Sequence, residues 1–458
     1  MAENYEQTLA HVNTNSKPTD LKITDMRFVD IVGAPMHCTL LRIETNQGIT
    51  GYGEVRDGAS KLYAQMLKRF LIGENPCNID KIFRRIKQFG GQSRQAGGVC
   101  GVELALWDIA GKAYGIPVYQ MLGGKFRDKV RMYCDTDVDG KDTGLNMGDA
   151  LKKRVEKHGY TMLKMDLGIN QLWDVEGGLC APTGFLEQYG YTAKMAREAK
   201  ARGDKAAARW WANRSYDVNN IAHPFTGIHI TKKGFDYLEN YVKEVRSVIG
   251  YEIPLSIDHF GHIGVEDCIK LANRLENYNM CWLEDMIPWQ LTDQYVRLHN
   301  ASTTPIATGE DIYLLENFKP LLDNRAVSII HPDILSSGGI YETKKIGDYA
   351  EECGVAMALH MAETPVACLA AVHVAAATNN FLGLEFHSND VDWWSDMVKD
   401  TEKPKLVDGF MAVPEKPGIG IDELDDEVLA EHIHPEIPGL WESTDEWNDW
   451  ISHDRLWS

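Results

Sequence analysis

Three acidic residues occur at equal spacing where short apolar segments of the sequence end. Asp258 ends "IPLSID", Glu284 lies in "CWLED" and Glu310 lies in "PIATGED", so that 284 − 258 and 310 − 284 are both 26. Equal spacing puts the three side chains at the same phase of a repeat and brings them together. Clustered carboxylates repel one another, and a hard divalent cation with oxygen ligands, most often Mg²⁺, removes that repulsion. The alternative is three unrelated acids that cap the following helices, which the shared phase disfavours.

The next two apolar segments end on Asp333 and His360, again in phase because they are 27 residues apart. A carboxylate on one imidazole nitrogen would raise the pKa of the histidine and fix its tautomer. The other nitrogen would then serve as a base or an acid. A lone histidine here would more often be a satisfied core residue, but the aspartate on the preceding segment favours the catalytic interpretation.

Two further segments carry ionisable groups near their ends. In "YTMLKMD", Lys164 and Asp166 share one side, because strand side chains alternate with a period of two. They could form only an ion pair, but next to a cation Lys164 would suit a substrate carboxylate. Glu385, in "FLGLEFH", should face the same mouth from the opposite side.

The secondary-structure elements that must position these ionisable side chains follow a regular sequence pattern after about residue 129. Helix-like stretches separate eight short apolar segments: "VRMYCDT", "YTMLKMD", "IPLSID", "CWLED", "PIATGED", "VSIIHPD", "VAMALH" and "FLGLEFH". This alternation is typical of parallel strands joined by crossover helices. Eight units predict an α/β protein with a (β/α)8 barrel, whose active site lies at the carboxyl ends of the strands.

The remaining segments define the expected domain boundaries. Residues 1–20 form a polar tail, 21–128 an α+β domain, 129–390 the barrel, and 391–458 a C-terminal return to the first domain and a tail. An insertion at 171–226 is either a lid or assembly surface, or a surface embellishment with one helix. For the tryptophan-rich tail, burial at a subunit interface would fit a homo-oligomer.

Composition excludes several classes of partner. The net charge of −20 opposes binding to nucleic acid or to an anionic membrane. The nine cysteines are scattered without a CxxC pair, which disfavours disulfides and structural zinc. The N-terminus resembles no signal peptide, and no window reaches 18 apolar residues, so we expect a cytoplasmic protein.

Taken together, these residues resemble the mandelate racemase and muconate lactonizing enzyme subgroup of the enolase superfamily, over residues 21 to about 440. The resemblance implies a modified TIM barrel with an N-terminal α+β capping domain. It also implies that the acids ending the third, fourth and fifth strands bind Mg²⁺. Asp333 and His360 match the family's catalytic dyad, and Glu385 resembles the acid that hydrogen-bonds the substrate enolate.

One position departs from the family pattern. The second barrel strand of the family carries Lys-x-Lys, and Lys164 matches the first lysine, whereas Asp166 replaces the second, which acts as a base. This replacement argues against racemisation by two bases. Some acid-sugar dehydratases of the subgroup carry a further histidine after the third-strand aspartate, and here His259 and His262 occupy that region. Either could be a second acid or only a polar loop residue.

The resemblance also suggests how substrate would be held. The capping domain of the family closes over the substrate with two loops, and Arg56, or Arg94 in "GGQSRQAGG", would suit an anionic, polyhydroxylated ligand. The implied reaction is Mg²⁺-dependent removal of the proton next to the carboxylate of a sugar acid, followed by loss of water to a 2-keto-3-deoxy acid. A cycloisomerase of a sugar lactone or anhydro-sugar acid is the main alternative. An epimerase or racemase and a non-catalytic sugar-acid binding protein are further ones.

Overall fold

The computed structural model describes residues 20–138, 140–182, 184–221, 228–258, 263–400 and 403–449. Its first element is an antiparallel sheet of β1 (Ile23–Val32), β2 (His37–Thr45) and β3 (Thr50–Val55). The strands that follow are, in chain order, β4 (Lys129–Cys134), β5 (Leu163–Asp166), β6 (Leu179–Cys180), β7 (His229–Ile230), β8 (Leu255–Asp258), β9 (Met280–Glu284), β10 (Ile306–Thr308), β11 (Ile329–Ile330), β12 (Ala356–Leu359), β13 (Phe381–Phe386), β14 (Leu406–Val407) and β15 (Phe410–Ala412).

The α-helices in the described ranges are α1 (Leu62–Gln65), α2 (Ile79–Ile86), α3 (Gly97–Tyr114), α4 (Val118–Met121), α5 (Gly144–His158), α6 (Phe185–Ala201), α7 (Lys205–Ile221), α8 (Lys232–Ile249), α9 (Val265–Leu275), α10 (Thr292–Ala301), α11 (Leu315–Asp323), α12 (Ile340–Glu352), α13 (Pro365–Ala377) and α14 (Asp426–Glu431). Local sequence sets several of their ends. Thr143 and Thr231 cap α5 and α8 by accepting hydrogen bonds from backbone N–H groups three residues on. None of the helices in these ranges has the length and apolar content that a membrane crossing requires.

The eight predicted segments form a closed parallel barrel, which confirms the fold class. Its strands follow the order β4, β5, β8, β9, β10, β11, β12, β13, and β13 pairs back with β4. Each barrel strand overlaps the apolar segment that predicted it, because strands buried on both faces have continuous apolar sequences.

Two compact units can be distinguished in the chain. The first consists of the described parts of Met1–Met132, Gly309–Lys319 and Ile330–Ser458, and the second consists of those of Tyr133–Thr308 and Pro320–Ile329. In the first unit, α3 packs closely on the antiparallel sheet, since a Cβ atom at Gly53 would lie 1.9 Å from the carbonyl oxygen of Gly101. Glycines in "GITGYGEV" thus allow the backbones of helix and sheet to meet.

The C-terminal segment of the first unit contacts earlier parts of that unit. The β14–β15 hairpin pairs antiparallel with β4, with Met411 opposite Val130. The N–H of Ile419 donates to Oδ1 of Asp108 at 3.0 Å. Trp441, only 5% exposed, donates its backbone N–H to the carbonyl of Phe28. The described part of the tryptophan-rich tail therefore packs on its own chain here, and residues 450–458 lie outside the described residues.

The insertion belongs to the second unit and is more regular than the sequence suggested. Its described residues form two α-helices, α6 and α7, rather than the single helix expected of a surface embellishment, and the two pack against each other. At its base, β6 and β7 pair antiparallel, with Leu179 opposite Ile230. Residues 222–227 of the connection lie outside the described residues.

Candidate active site

A lysine and two acids form the first cluster, in the second unit. β5, β8 and β9 are neighbours, and their last residues are in register, with Asp166 opposite Asp258 and Asp258 opposite Glu284. Nζ of Lys164 lies 3.2 Å from Oδ2 of Asp258 and 3.2 Å from Oε1 of Glu284. The lysine side chain is 1% exposed and that of Glu284 is fully buried. One ammonium group thus holds two carboxylates together.

The second oxygen of Glu284 is also fixed. Oε2 accepts a hydrogen bond from Nε1 of Trp282 at 2.9 Å. Trp282 is buried and lies two residues earlier on β9, so strand alternation puts the indole and the carboxylate on one side. Asp166 has a partly buried side chain, and its backbone N–H donates to the carbonyl of Thr136.

The acids of this cluster fit an oxygen-preferring divalent cation. Their carboxylate oxygens already converge within 3.2 Å of one positive charge, and such oxygens are the ligands that Mg²⁺ and Ca²⁺ prefer. In the same unit, Ala307 of β10 lies opposite Glu284. Glu310, the third acid of the spacing pattern, follows three residues later in the chain and belongs to the first unit.

The second cluster lies in the first unit and is built around His360. Asp333 and His360 face each other in a parallel β-bridge. Oδ2 of Asp333 lies 2.7 Å from Nδ1 of His360, and Oε2 of Glu310 lies 3.0 Å from Nε2. Both imidazole nitrogens therefore have a carboxylate neighbour, and the aspartate orients the ring.

Arg56 is buried against the same pair. Its Nη1 atom lies 2.9 Å from Oδ2 of Asp333, 2.6 Å from Oε1 of Glu363 and 2.7 Å from Oδ1 of Asp57. Its Nη2 atom lies 4.0 Å from Oε1 of Glu310. Nε and Nη2 have no hydrogen-bond partner within the described parts of the chain. Arg56 thus neutralises buried acids around the histidine and retains donors that a ligand could use.

Burial controls the proton equilibria of this cluster. It raises the pKa of Asp333 to about 7, against the opposing charge of Arg56. It raises the pKa of Glu363 well above its usual range, and the charge of Asp333 adds to that effect. One guanidinium cannot neutralise three buried carboxylates, so the cluster retains a proton near neutral pH.

The expected shift of His360 was wrong in direction. The sequence predicted that a neighbouring carboxylate would raise the pKa of this histidine. Instead, burial, followed by the charge of Arg56, lowers its pKa well below 6.5. The imidazole is therefore neutral at neutral pH and can accept a proton.

Two histidines flank Glu385 in the first unit. Oε1 of this buried carboxylate lies 3.1 Å from Nε2 of His387, and Oε2 lies 3.5 Å from Nε2 of His331. The rings of His387 and His331 lie 5.7 Å and 5.8 Å from that of His360, measured between centroids. Glu385 therefore belongs to the same cluster as His360.

Four members of these clusters, His331, His387, Trp282 and Glu363, were not among the residues predicted from the sequence. His331 and His387 lie two residues from Asp333 and Glu385, so strand alternation could have placed them on the same side. Trp282 has the same relation to Glu284. Glu363, in "HMAETP", carries no periodic signal, because it lies in the loop between β12 and α13.

The remaining residues predicted to contact substrate are His259, His262 and Arg94. His259 and His262 lie outside the described residues. The side chain of Arg94 is 42% exposed and lies 3.3 Å from Oδ2 of Asp57 and 3.4 Å from Oδ1 of Asp311.

Comparison with known proteins connects both clusters to one family. The family model described as "Enolase C-terminal domain-like" matches residues 146–428. The model of the mandelate racemase / muconate lactonizing enzyme N-terminal domain matches residues 5–123. Members of this superfamily typically use a divalent metal, and the chain carries acidic and histidine groups of that kind.

Individual relatives extend over nearly the whole chain. A D-xylonate dehydratase of Haloferax volcanii is 31% identical over 434 residues, which cover 93% of this chain and 92% of the relative. A D-galactonate dehydratase of Verminephrobacter eiseniae is 28% identical, covering 88% of this chain and 92% of the relative. A crystal structure of a mandelate racemase/muconate lactonizing enzyme-like protein from Rubrobacter xylanophilus matches with a TM-score of 0.74 at 27% identity, covering 91% of this chain and 98% of that one.

Proposed function

Because the chain belongs to the mandelate racemase and muconate lactonizing enzyme family of the enolase superfamily, we propose that it is a sugar-acid dehydratase. The reaction would remove the proton next to the substrate carboxylate and expel the 3-hydroxyl, giving a 2-keto-3-deoxy acid. Relatives named D-xylonate and D-galactonate dehydratase support this substrate class. The observation that carries the proposal is the buried His360, whose ring is oriented by the contact of 2.7 Å between Nδ1 and Oδ2 of Asp333.

We assign a Mg²⁺ site to Asp258, Glu284 and Glu310. The convergence of the first two acids on Lys164 supports it. When bound, the cation supplies positive charge beside the substrate carboxylate, where negative charge develops. Lys164 contributes a second positive charge to the same group.

The base in this proposal is His360. Its Nε2 atom takes the proton from the carbon next to the carboxylate, while Asp333 holds the Nδ1–H and stabilises the imidazolium that forms. The C3–O bond then breaks, and the hydroxyl leaves with a proton from the imidazolium as water. The resulting enol takes a proton from solvent at C3 and loses the proton of its C2 hydroxyl, which gives the 2-keto-3-deoxy acid. Glu385, in its protonated form, would donate a hydrogen bond to the substrate oxygen that gains negative charge, and Arg56, through its remaining donors, would contact a substrate hydroxyl or carboxylate.

Asp166 favours elimination over inversion. An aspartate carries no positive charge and is a much weaker base than the lysine it replaces in the family pattern. Removal and return of a proton on opposite faces needs two bases, so His360 alone suits the dehydratase outcome. His259 or His262 remains a proposed helper for departure of the hydroxyl.

We also infer that the protein works in the cytoplasm as a homo-oligomer, without a nucleic-acid or membrane partner. The net charge of −20 supports the absence of nucleic-acid and anionic-membrane partners, and the nine free cysteines support a reducing compartment. The large exposed side chains of Tyr191 and Trp210, both in the insertion, support an assembly surface there.

A sugar-acid library assayed for 2-keto acids in the presence of Mg²⁺ tests the function, with xylonate and galactonate first. In deuterium oxide, the expected product is a 2-keto-3-deoxy acid with deuterium at C3. A sugar acid inverted and deuterated at C2 would replace the proposal with an epimerase. A ring-opened isomer of a lactone would indicate a cycloisomerase, and binding without turnover across the library would indicate a binding protein.

A further inference from the structure

We propose that His360, Glu385 and His387 form a second cation site, which binds a first-row transition metal rather than Mg²⁺. Their ligand atoms all lie within 4.8 Å of one another. The side chains of His360 and Glu385 are 7% and 0% exposed, and that of His387 is 18% exposed. The site is thus enclosed on two sides and accessible at His387.

The spacing of the donors suits a single ion. Oε1 of Glu385 and Nε2 of His387 are 3.1 Å apart. Ligands bound to one zinc ion at roughly 2.1 Å lie about 3 to 4 Å from each other. The three groups therefore need shifts of only about 1 Å to meet around an ion, which side-chain rotation alone can provide.

Contacts around the donors hold them in position. Asp333 lies 2.7 Å from Nδ1 of His360, so the metal would bind at Nε2 and displace the contact of that nitrogen with Oε2 of Glu310, which is 3.0 Å away. This carboxylate–histidine pairing is the usual outer contact of a metal-binding imidazole. On the far side of Glu385, His331 approaches the second carboxylate oxygen at 3.5 Å.

The donor types set the metal preference. Two imidazole nitrogens and one carboxylate favour zinc, iron, cobalt or nickel, whereas Mg²⁺ prefers oxygen ligands alone. The proposed Mg²⁺ ligands Asp258, Glu284 and Glu310 are all carboxylates, so the two sites differ in chemistry and in residues.

Occupation of this second site has a consequence that rests on the proposed function. A metal bound to Nε2 of His360 removes the lone pair that would accept the substrate proton. A transition metal is then an inhibitor that acts even when Mg²⁺ is abundant.

Cobalt(II) tests the binding directly, without substrate, in the full chain saturated with Mg²⁺. We expect visible absorption typical of nitrogen-ligated cobalt at one equivalent, and at least about ten-fold weaker binding in His387→Gln. His434→Gln, which changes a histidine outside the cluster, should bind like wild type, and Glu284→Gln should retain the nitrogen-ligated band. Only weak octahedral absorption in wild type, or a band that survives His387→Gln, would overturn the proposal.

Zinc inhibition supplies a second readout. With Mg²⁺ in excess, half-inhibition of His387→Gln should need at least about ten-fold more Zn²⁺ than that of wild type. Equal sensitivity of the two proteins would overturn the inhibitory role. A chain that binds cobalt through His387 but dehydrates no sugar acid would contradict the proposed function and leave the metal site standing.

Discussion

The ammonium group of Lys164 lies 3.2 Å from the carboxylate of Glu284, although their strands, β5 and β9, are separated by β8. The same ammonium is 3.2 Å from Asp258. A buried cation between two carboxylates offsets their mutual repulsion. Removal of that cation leaves the two negative charges buried and unpaired. The lysine is thus both a proposed substrate ligand and a counter-charge for the proposed metal ligands.

Replacement of Lys164 by Met should destabilise the metal-free protein. Loss of one partner from a buried ionic cluster costs about 3 to 5 kcal/mol, because the remaining charges are left unpaired. In chelator, the melting temperature of Lys164→Met should fall clearly, and Mg²⁺ should raise it more than it raises that of wild type. Lys232→Met is the control, since Lys232 is 83% exposed and pairs with Asp236 at the surface. Similar melting temperatures for Lys164→Met and wild type in chelator would contradict this role.

Glu284→Gln should weaken Mg²⁺ binding strongly. The substitution keeps the size of the side chain but removes a negative charge from the proposed ligand set, so we expect affinity to fall at least about ten-fold and turnover to fall with it. Titration calorimetry measures the affinity. The control is Glu276→Gln. Glu276 belongs to the same unit and accepts a hydrogen bond from the backbone N–H of Thr303, and its substitution should leave the Mg²⁺ affinity unchanged. Wild-type affinity in Glu284→Gln would remove this acid from the metal site.

His360→Asn should lose turnover by about 10²- to 10⁴-fold with little change in KM, because a general base acts on the transition state. Asp333→Asn should lose less, since it misorients the imidazole without removing it. Steady-state kinetics on an active sugar acid separates the two parameters, with His434→Asn as the control. Near-normal turnover in His360→Asn would move the base to another residue, with Lys164 and Asp166 the first to be examined.

The barrel and the phase of its acids could be predicted because they depend on local pattern. Buried strands read as apolar runs, and equal intervals placed Asp258 and Glu284 at adjacent strand ends, where the structure puts them in register. The contacts of Arg56 could not be predicted in this way. Its partners Asp333 and Glu363 lie 277 and 307 residues away in the chain.

The direction of the His360 pKa shift shows a second limit of sequence reasoning. Sequence identified a neighbouring carboxylate, which favours the charged imidazole. The dominant effect is burial, and it favours the neutral form. Burial depends on how loops and helices cover the site, and period-two alternation along a strand carries no information about that cover.

A buried acid away from the proposed chemistry gives a prediction about stability. Glu54, at the end of β3, accepts hydrogen bonds from Oγ1 of Thr364 at 2.5 Å and from the N–H groups of Thr364 and Ala367 at 3.1 and 3.2 Å, so it caps the start of α13. Burial, with a contribution from the charge of Glu363, raises its pKa from 4.5 to about 8.

The stability of the wild-type protein should therefore fall as the pH rises from 4.5 to about 8. Below about 4.5 both the folded and the unfolded protein hold the Glu54 proton; between 4.5 and about 8 only the folded protein does. Stability linked to this group is thus fully present below the lower value and is lost as pH rises through the upper one. Glu54→Gln has no titrating group at this position. Its free energy of unfolding should therefore fall less than that of wild type over this pH range, by an amount on the order of a few kcal/mol. Thermal melts of both proteins from pH 5 to 8 measure it, with Glu276→Gln expected to follow wild type. Parallel curves for wild type and Glu54→Gln would show that this carboxyl is ionised in the folded protein throughout the range.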